Sequence, residues 1–171
     1  DSRWVFDVVA EAGYVYDASV FPARHGHGGL GRTELGPHVL RTRYNRLVEI
    51  PISTVDMWGR RVCLFGGGYL RIAPLPLIRW GVERLRREGR PLIVYMHPRE
   101  IGPNHPRLPL SAKRRFECSA NLRSTMPKLR WLCRYCTFTP MKILATRVDE
   151  EIPWGSAATS VPSQRRASDA I

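Results

Sequence analysis

The chain of 171 residues is long enough for one domain with a real core, at the size where roughly 70% of the unfolded surface becomes buried. Apolar residues make up 43% and charged residues 25%, which excludes a wholly disordered chain and places the middle in a folded body. The net charge of +12, from 27 Lys and Arg against 15 Asp and Glu, suits an acidic partner: nucleic acid, an anionic polysaccharide or a membrane surface.

The chain opens without Met at Asp1-Ser-Arg-Trp4, already inside a helical pattern, and is expected to begin partway through something larger. Trp4, Val5, Val8, Val9 and Ala12 recur at helical spacing and Gly13 follows, so residues 2–12 read as helix. Tyr14 to Phe21 is rich in β-branched and aromatic residues and stops at Pro22, which fits a short strand. Pro22 to Arg46 carries five glycines with His25, His27 and His38 and keeps no period; it reads as a long loop, and loops of that length often carry function.

Leu47 to Ile52 reads as a second strand, with Pro51 placing its end at an edge or outside the ladder. Gly66-Gly-Gly-Tyr69 implies a backbone that approaches something closely, but it lacks the Gly-Lys-Ser/Thr of a phosphate loop, so nucleotide binding is unsupported. Pro74 starts a helix whose buried face is Leu75, Ile78, Val82 and Leu85, with Arg79, Glu83, Arg86 and Arg87 outside and Gly89 at its end. The apolar run Pro91-Leu-Ile-Val-Tyr-Met96 follows as a strand. Helix, short link and strand make the alternation expected of βα units with a largely parallel sheet. Thr125 caps a later helix through Leu129, Leu132 and Cys133, and Thr137 to Pro140 is extended. From Asp149 the composition turns to Ser, Ala, Pro and Arg, and residues 149–171 are expected to form a disordered tail.

Two further signals are weak. The four cysteines are Cys63, Cys118, Cys133 and Cys136, and only the last two have ligand spacing; these extend an apolar helical stripe, so burial explains them better than zinc or redox chemistry. The basic doublets Arg60-Arg61, Arg86-Arg87, Arg114-Arg115 and Arg165-Arg166 are scattered and not interleaved with stacking aromatics, which argues against specific nucleic-acid binding. No run approaches the roughly 18 apolar residues of a transmembrane segment.

His97 is the foremost candidate for chemistry, because it ends the Pro91–Met96 run and is followed by Pro98. In α/β folds the reacting groups sit at the carboxyl ends of strands. A histidine there is also compatible with a plain bond to a nearby carbonyl.

Four stretches, Gly13-Tyr-Val-Tyr-Asp-Ala-Ser-Val-Phe-Pro22, Leu47-Val-Glu-Ile-Pro-Ile-Ser53, Gly66-Gly-Gly-Tyr-Leu-Arg71 and Tyr95-Met-His-Pro-Arg-Glu-Ile101, together resemble the polysaccharide deacetylases. Their order and the closing Phe138-Thr-Pro-Met141 resemble the carboxyl-terminal part of the NodB-homology deacetylases of exopolysaccharide and exosortase loci, over about residues 1–148.

The resemblance implies an α/β fold, part of a distorted (β/α) barrel of the glycoside hydrolase/deacetylase type that lacks its early strands. It implies a hydrolase of amide bonds, removing N-acetyl groups from an amino-sugar polymer or oligosaccharide. In such enzymes an Asp and two His on early strands hold a divalent metal, here expected to be Zn²⁺, and a second early Asp is the base. No Asp-Asp pair or His-x₃-His motif occurs in this chain, so it is not expected to ligand the metal fully, and alone it is expected to be inactive. A missing amino-terminal half or an oligomer partner is implied, and the isolated piece should expose strand edges and an apolar face. By the same resemblance His97 is the acid that protonates the departing sugar amine. His25 falls on a substrate-side position, although this chain reads His25-Gly-His-Gly-Gly29 where relatives read His-Asp-Arg-Tyr-Gly. Tyr69 either lines the sugar site or packs in the core. A non-catalytic carbohydrate-binding or exopolysaccharide assembly subunit is the rival reading.

Overall fold

The computed structural model describes residues 4–23, 33–102, 109 and 111–151. These fall into two compact units, one drawn from Asp1–Ser19, Pro37–Ile50 and Pro140–Ile171, the other from Val20–Gly36 and Pro51–Thr139.

The first unit is a small sheet with two helices. Helix α1 (Trp4–Glu11) buries Phe6 and Ala10, four residues apart on one face. Its end is fixed by Gly13 at φ +87°, with Gly13 N–H donating to the Ala10 carbonyl (3.0 Å) and Tyr14 N–H to that of Val9 (3.3 Å). This paired closure needs a left-handed residue, which is why glycine stands there. Strand β1 (Tyr16–Asp17) pairs in parallel with β3 (Arg46–Glu49), and β2 (His38–Arg41) pairs antiparallel with the other side of β3.

The sheet is therefore mixed, in the order β1-β3-β2, where the helix-strand alternation suggested mainly parallel pairing. Strand β2 lies inside the stretch expected to be loop. Its four residues, His-Val-Leu-Arg, are too few to stand out beside the glycines, and the ladder with β3 supplies the order that local sequence does not. Leu47, Val48 and Glu49 are all buried, as suits a strand with neighbours on both sides. Pro51 lies beyond the ladder, where a missing N–H costs nothing.

Helix α6 (Met141–Glu151) contacts β2 and β3, and carries the first residues of the expected tail. The reason is Asp149, whose carboxylate meets Arg46 Nη2 at 2.8 Å while its carbonyl accepts from the same nitrogen at 3.2 Å. Residues 152–171 lie outside the described residues.

The second unit begins with a hairpin, β4 (Val55–Met57) and β5 (Arg60–Val62). Trp58 and Gly59 turn it at φ +47° and +76°, the two left-handed residues that the tightest hairpin loops require. Helix α2 (Gly67–Ile72) starts within the glycine run, and α3 (Leu75–Arg87) follows from Pro74. Of the face expected to be buried, Ile78, Val82 and Leu85 are; Leu75 is exposed. Gly81 completes the stripe, because a Cβ there would stand 2.9 Å from Phe65 Cζ and 3.0 Å from Leu64 Cδ1.

Helices α4 (Ala112–Ser119) and α5 (Thr125–Tyr135) complete the unit. Its core joins Val55, Leu64, Phe65, Leu70, Ala73, Ile78, Val82, Leu85 and Leu132. In α5 the apolar stripe rotates so that Leu132 faces the core and Cys133 is exposed, correcting the expectation that Cys133 is buried. Pro91–Met96 is extended but forms a single parallel bridge, Tyr95 to Gly66, rather than a strand ladder. Pro91 has no N–H to give, and the Ile93 N–H is taken by the Ser53 hydroxyl (2.8 Å) rather than by a neighbouring backbone.

Candidate functional site

The site is built where the extended segment meets the glycine run. Tyr95 N–H donates to the Phe65 carbonyl (3.1 Å) and Gly67 N–H to the Tyr95 carbonyl (2.9 Å). Ser53 steadies the other end of the segment, its hydroxyl donating to the Pro91 carbonyl (3.0 Å).

Residues two apart in extended backbone share a side, so Tyr95 and His97 project together. The Tyr95 hydroxyl is 3.0 Å from His97 Nε2, and the rings meet edge to face with centroids 5.0 Å apart. Both side chains are exposed.

Immediately after His97 the chain turns. Pro98–Glu100 is a single 3-10 turn in which Glu100 N–H donates to the His97 carbonyl (2.9 Å) and Glu100 Oε2 accepts from the His97 N–H (2.9 Å). The Glu100 carboxylate is buried, and its Oε1 lies 3.6 Å from Nε of Arg71, also buried. Arg71 in turn gathers the surrounding backbone: its Nη1 donates to the carbonyls of Cys118 (3.0 Å) and Ala120 (3.2 Å). Its own carbonyl accepts from Asn121 Nδ2 (2.7 Å), Ser124 Oγ (2.8 Å) and Lys128 Nζ (2.6 Å). Burial pushes the Lys128 ammonium below its usual range.

The glycines serve this arrangement. Gly67 has φ +43°, and a Cβ there would sit 3.3 Å from Glu100 Oε1; a Cβ on Gly66 would meet Cys63 Sγ at 3.1 Å. The close approach implied by the sequence is thus to the chain's own carboxylate and thiol. Burial pushes the Cys63 thiol up, partly offset by the N–H groups of Phe65 and Gly66, so the sulfur is protonated at neutral pH and is no nucleophile.

Tyr69, in the first turn of α2, is 41% exposed and so is not a core tyrosine. Partial burial and the neighbouring Cys63 push its phenol up. His25 lies outside the described residues. Arg71 and Glu100 were not singled out as site residues, although both belong to quoted motifs. The readable signal was an arginine between Leu70 and Ile72, and a glutamate three residues after the histidine.

Away from this site, Arg86 and Arg79 lie over the Tyr135 ring at 4.8 and 5.6 Å, and Trp131 stacks on Tyr135 at 4.5 Å. The basic and aromatic groups that looked separate in sequence meet through α3 and α5. The Tyr135 hydroxyl donates to Glu83 (2.6 Å), which with Arg86 holds that carboxyl below its usual range. In the first unit Asp17, Glu49 and His38 occupy one row across β1, β3 and β2. Among the described residues no group of three or more His, Cys, Asp or Glu could hold a metal ion, and no helix is long and apolar enough to cross a membrane.

A family model described as a domain of unknown function (DUF3473) matches residues 18–146. No curated protein and no solved structure matches the chain.

Proposed function

Since the chain belongs to the DUF3473 family, we propose its activity from its own site: it supplies the proton-donating part of a carbohydrate deacetylase that hydrolyses N-acetyl groups of amino-sugar polymers or oligosaccharides. The observation that carries this reading is His97, exposed at the end of an extended segment, its backbone held by the buried Glu100 and its ring by Tyr95. An acid so placed serves a reaction in which a poor leaving group, an amine, must be protonated as its bond to the acyl carbon breaks. The positive net charge suits an anionic glycan, and the exposed rings of Tyr69 and Tyr95 suit sugar faces.

The fold that goes with this reading is part of a distorted (β/α) barrel. It is supported by the parallel pairing of β1 with β3 and by the parallel bridge at Tyr95. The exposed Trp4, Val8, Tyr14 and Val15 are the kind of surface that neighbouring barrel elements would cover. A divalent metal, Zn²⁺ foremost, belongs to the reading. Among the described residues no set of side chains fits it.

A second reading, a non-catalytic carbohydrate-binding or exopolysaccharide assembly subunit, is favoured by Tyr69 and Tyr95, whose exposed rings would serve binding without any role for His97. Acetate release from N-acetylated amino-sugar oligomers by the complete protein, with Zn²⁺ supplied, separates the two. The deacetylase reading requires release that His97→Gln lowers about 100-fold or more. Oligomer binding without release, by wild type and variant alike, would favour the binding subunit.

A further inference from the structure

Trp58 stands at the tip of the β4–β5 hairpin and is 95% exposed, the most open of the large apolar side chains among the described residues. Its backbone is left-handed, at φ +47°. Both features count against a tryptophan. Tight hairpin turns favour Asn, Asp or Gly at such a position, because a bulky side chain there strains the backbone, and an indole left in water gains nothing from burial. The second turn residue is the expected glycine, Gly59 at φ +76°. Folding therefore does not explain Trp58, and strain of this kind is kept where a function uses it.

What the tip meets follows from exposure and charge. A sugar stacks on one face of an aromatic side chain whose other face rests on protein, whereas this indole is open on all sides and suits a medium that surrounds it. The headgroup region of a bilayer does so, and tryptophan concentrates there because its ring is apolar and its N–H still finds an acceptor. The charge around it gives the sign of the lipid. The unit that contains the hairpin holds nineteen of the chain's 27 Lys and Arg but only six of its 15 Asp and Glu, so the whole excess of positive charge belongs to that unit. Arg60 is exposed two residues from Trp58, and Arg61 is held by its Nη1, which donates to the Pro22 carbonyl (3.2 Å). The hairpin's one carboxylate, Asp56, sits directly across from Arg61.

We propose that the β4–β5 hairpin is a membrane-docking element: Trp58 inserts into the headgroup region of a bilayer that carries anionic phospholipid, and Arg60 with the unit's excess positive charge is drawn to the lipid phosphates. The attachment is peripheral and reversible, as one inserted ring plus screened attraction gives. It does not depend on the chemistry at His97.

The test sediments the complete protein with vesicles of phosphatidylglycerol and phosphatidylcholine, and with phosphatidylcholine alone, at low and high salt. Wild type is compared with Trp58→Asn and Arg60→Glu, asparagine being chosen because it tolerates the left-handed backbone. Wild type should bind the mixed vesicles, lose that binding at high salt and leave the neutral vesicles alone. Trp58→Asn should weaken the apparent affinity about tenfold or more, and Arg60→Glu should weaken it as well. The thermal midpoint of Trp58→Asn should equal or exceed that of wild type, since the substitution relieves strain and removes no packing. Wild type that binds neither vesicle or both equally overturns the proposal, as does Trp58→Asn that binds as tightly as wild type. A lowered midpoint in Trp58→Asn also overturns it, by showing that the indole supports the hairpin. Wild type that ignores vesicles, while N-acetylated amino-sugar oligomers change its fluorescence only when Trp58 is present, overturns it in favour of a sugar contact.

Discussion

Arg71 and Glu100 are 2% and 3% exposed, and the guanidinium Nε lies 3.6 Å from the carboxylate Oε1. Each is charged, each is out of water, and each holds something else in place: Arg71 the carbonyls at the end of α4, Glu100 the backbone of His97. Such pairs contribute little net stability compared with an apolar substitute, but removing one partner strands the other. Glu100→Ala should cost on the order of 3–5 kcal/mol, read as a lower midpoint in chemical denaturation. Glu100→Gln keeps an acceptor for the His97 N–H and should cost clearly less. Equal losses in the two variants would mean that neither the charge nor the bond to His97 matters.

The glycine at 67 is required twice, by its left-handed backbone and by the 3.3 Å to Glu100 Oε1 that a Cβ would impose. Gly67→Ala should lower stability by about 1–3 kcal/mol, against a helix preference that by itself favours alanine. Thermal unfolding decides it. A variant as stable as wild type would show that the run is free to rearrange.

Gly81 poses a packing question without a backbone one. A Cβ there would press on Phe65 and Leu64, both buried, so Gly81→Val should cost about 1–3 kcal/mol by overpacking. An unchanged denaturation midpoint would place α3 farther from Phe65 than described.

Cys63 links pH to stability. Burial raises its folded pKa above the unfolded value, so the neutral thiol is favoured in the fold; above the usual thiol range near 8.5 the unfolded chain ionises first and stability falls. Tyr69, also raised, adds to the fall at higher pH. Cys63→Ala should flatten the decline between about pH 8 and 10. In the native protein an alkylating reagent should modify exposed Cys133 first and reach Cys63 only on unfolding. Early modification of Cys63, mapped by mass spectrometry, would contradict the burial.

The elements legible in the sequence were those whose order is local. Helix α3 shows its period, its proline start and its glycine stop in one run, and α1 ends at the glycine that its closure needs. The β4–β5 hairpin was missed although Trp58-Gly59 marks it, because three-residue strands leave no countable alternation. Pro91–Met96 shows the opposite case. Its composition is that of a strand, yet a ladder is a property of its neighbours, and only Gly66 pairs with it. Of the site, His97 and Tyr69 could be named from motifs. The contact of Tyr95 with His97 needed the extended backbone between them, and the meeting of Arg71 with Glu100 joins residues from opposite ends of the glycine-to-histidine stretch.

Acetate release by the complete protein from a defined N-acetylated amino-sugar oligomer, compared between wild type and His97→Gln with Zn²⁺ present, tests the central claim most directly. Release by wild type, with a kcat lowered about 100-fold or more in the variant, is the expected result. Release unaffected by the substitution, or none from wild type while the oligomer is bound, would contradict it.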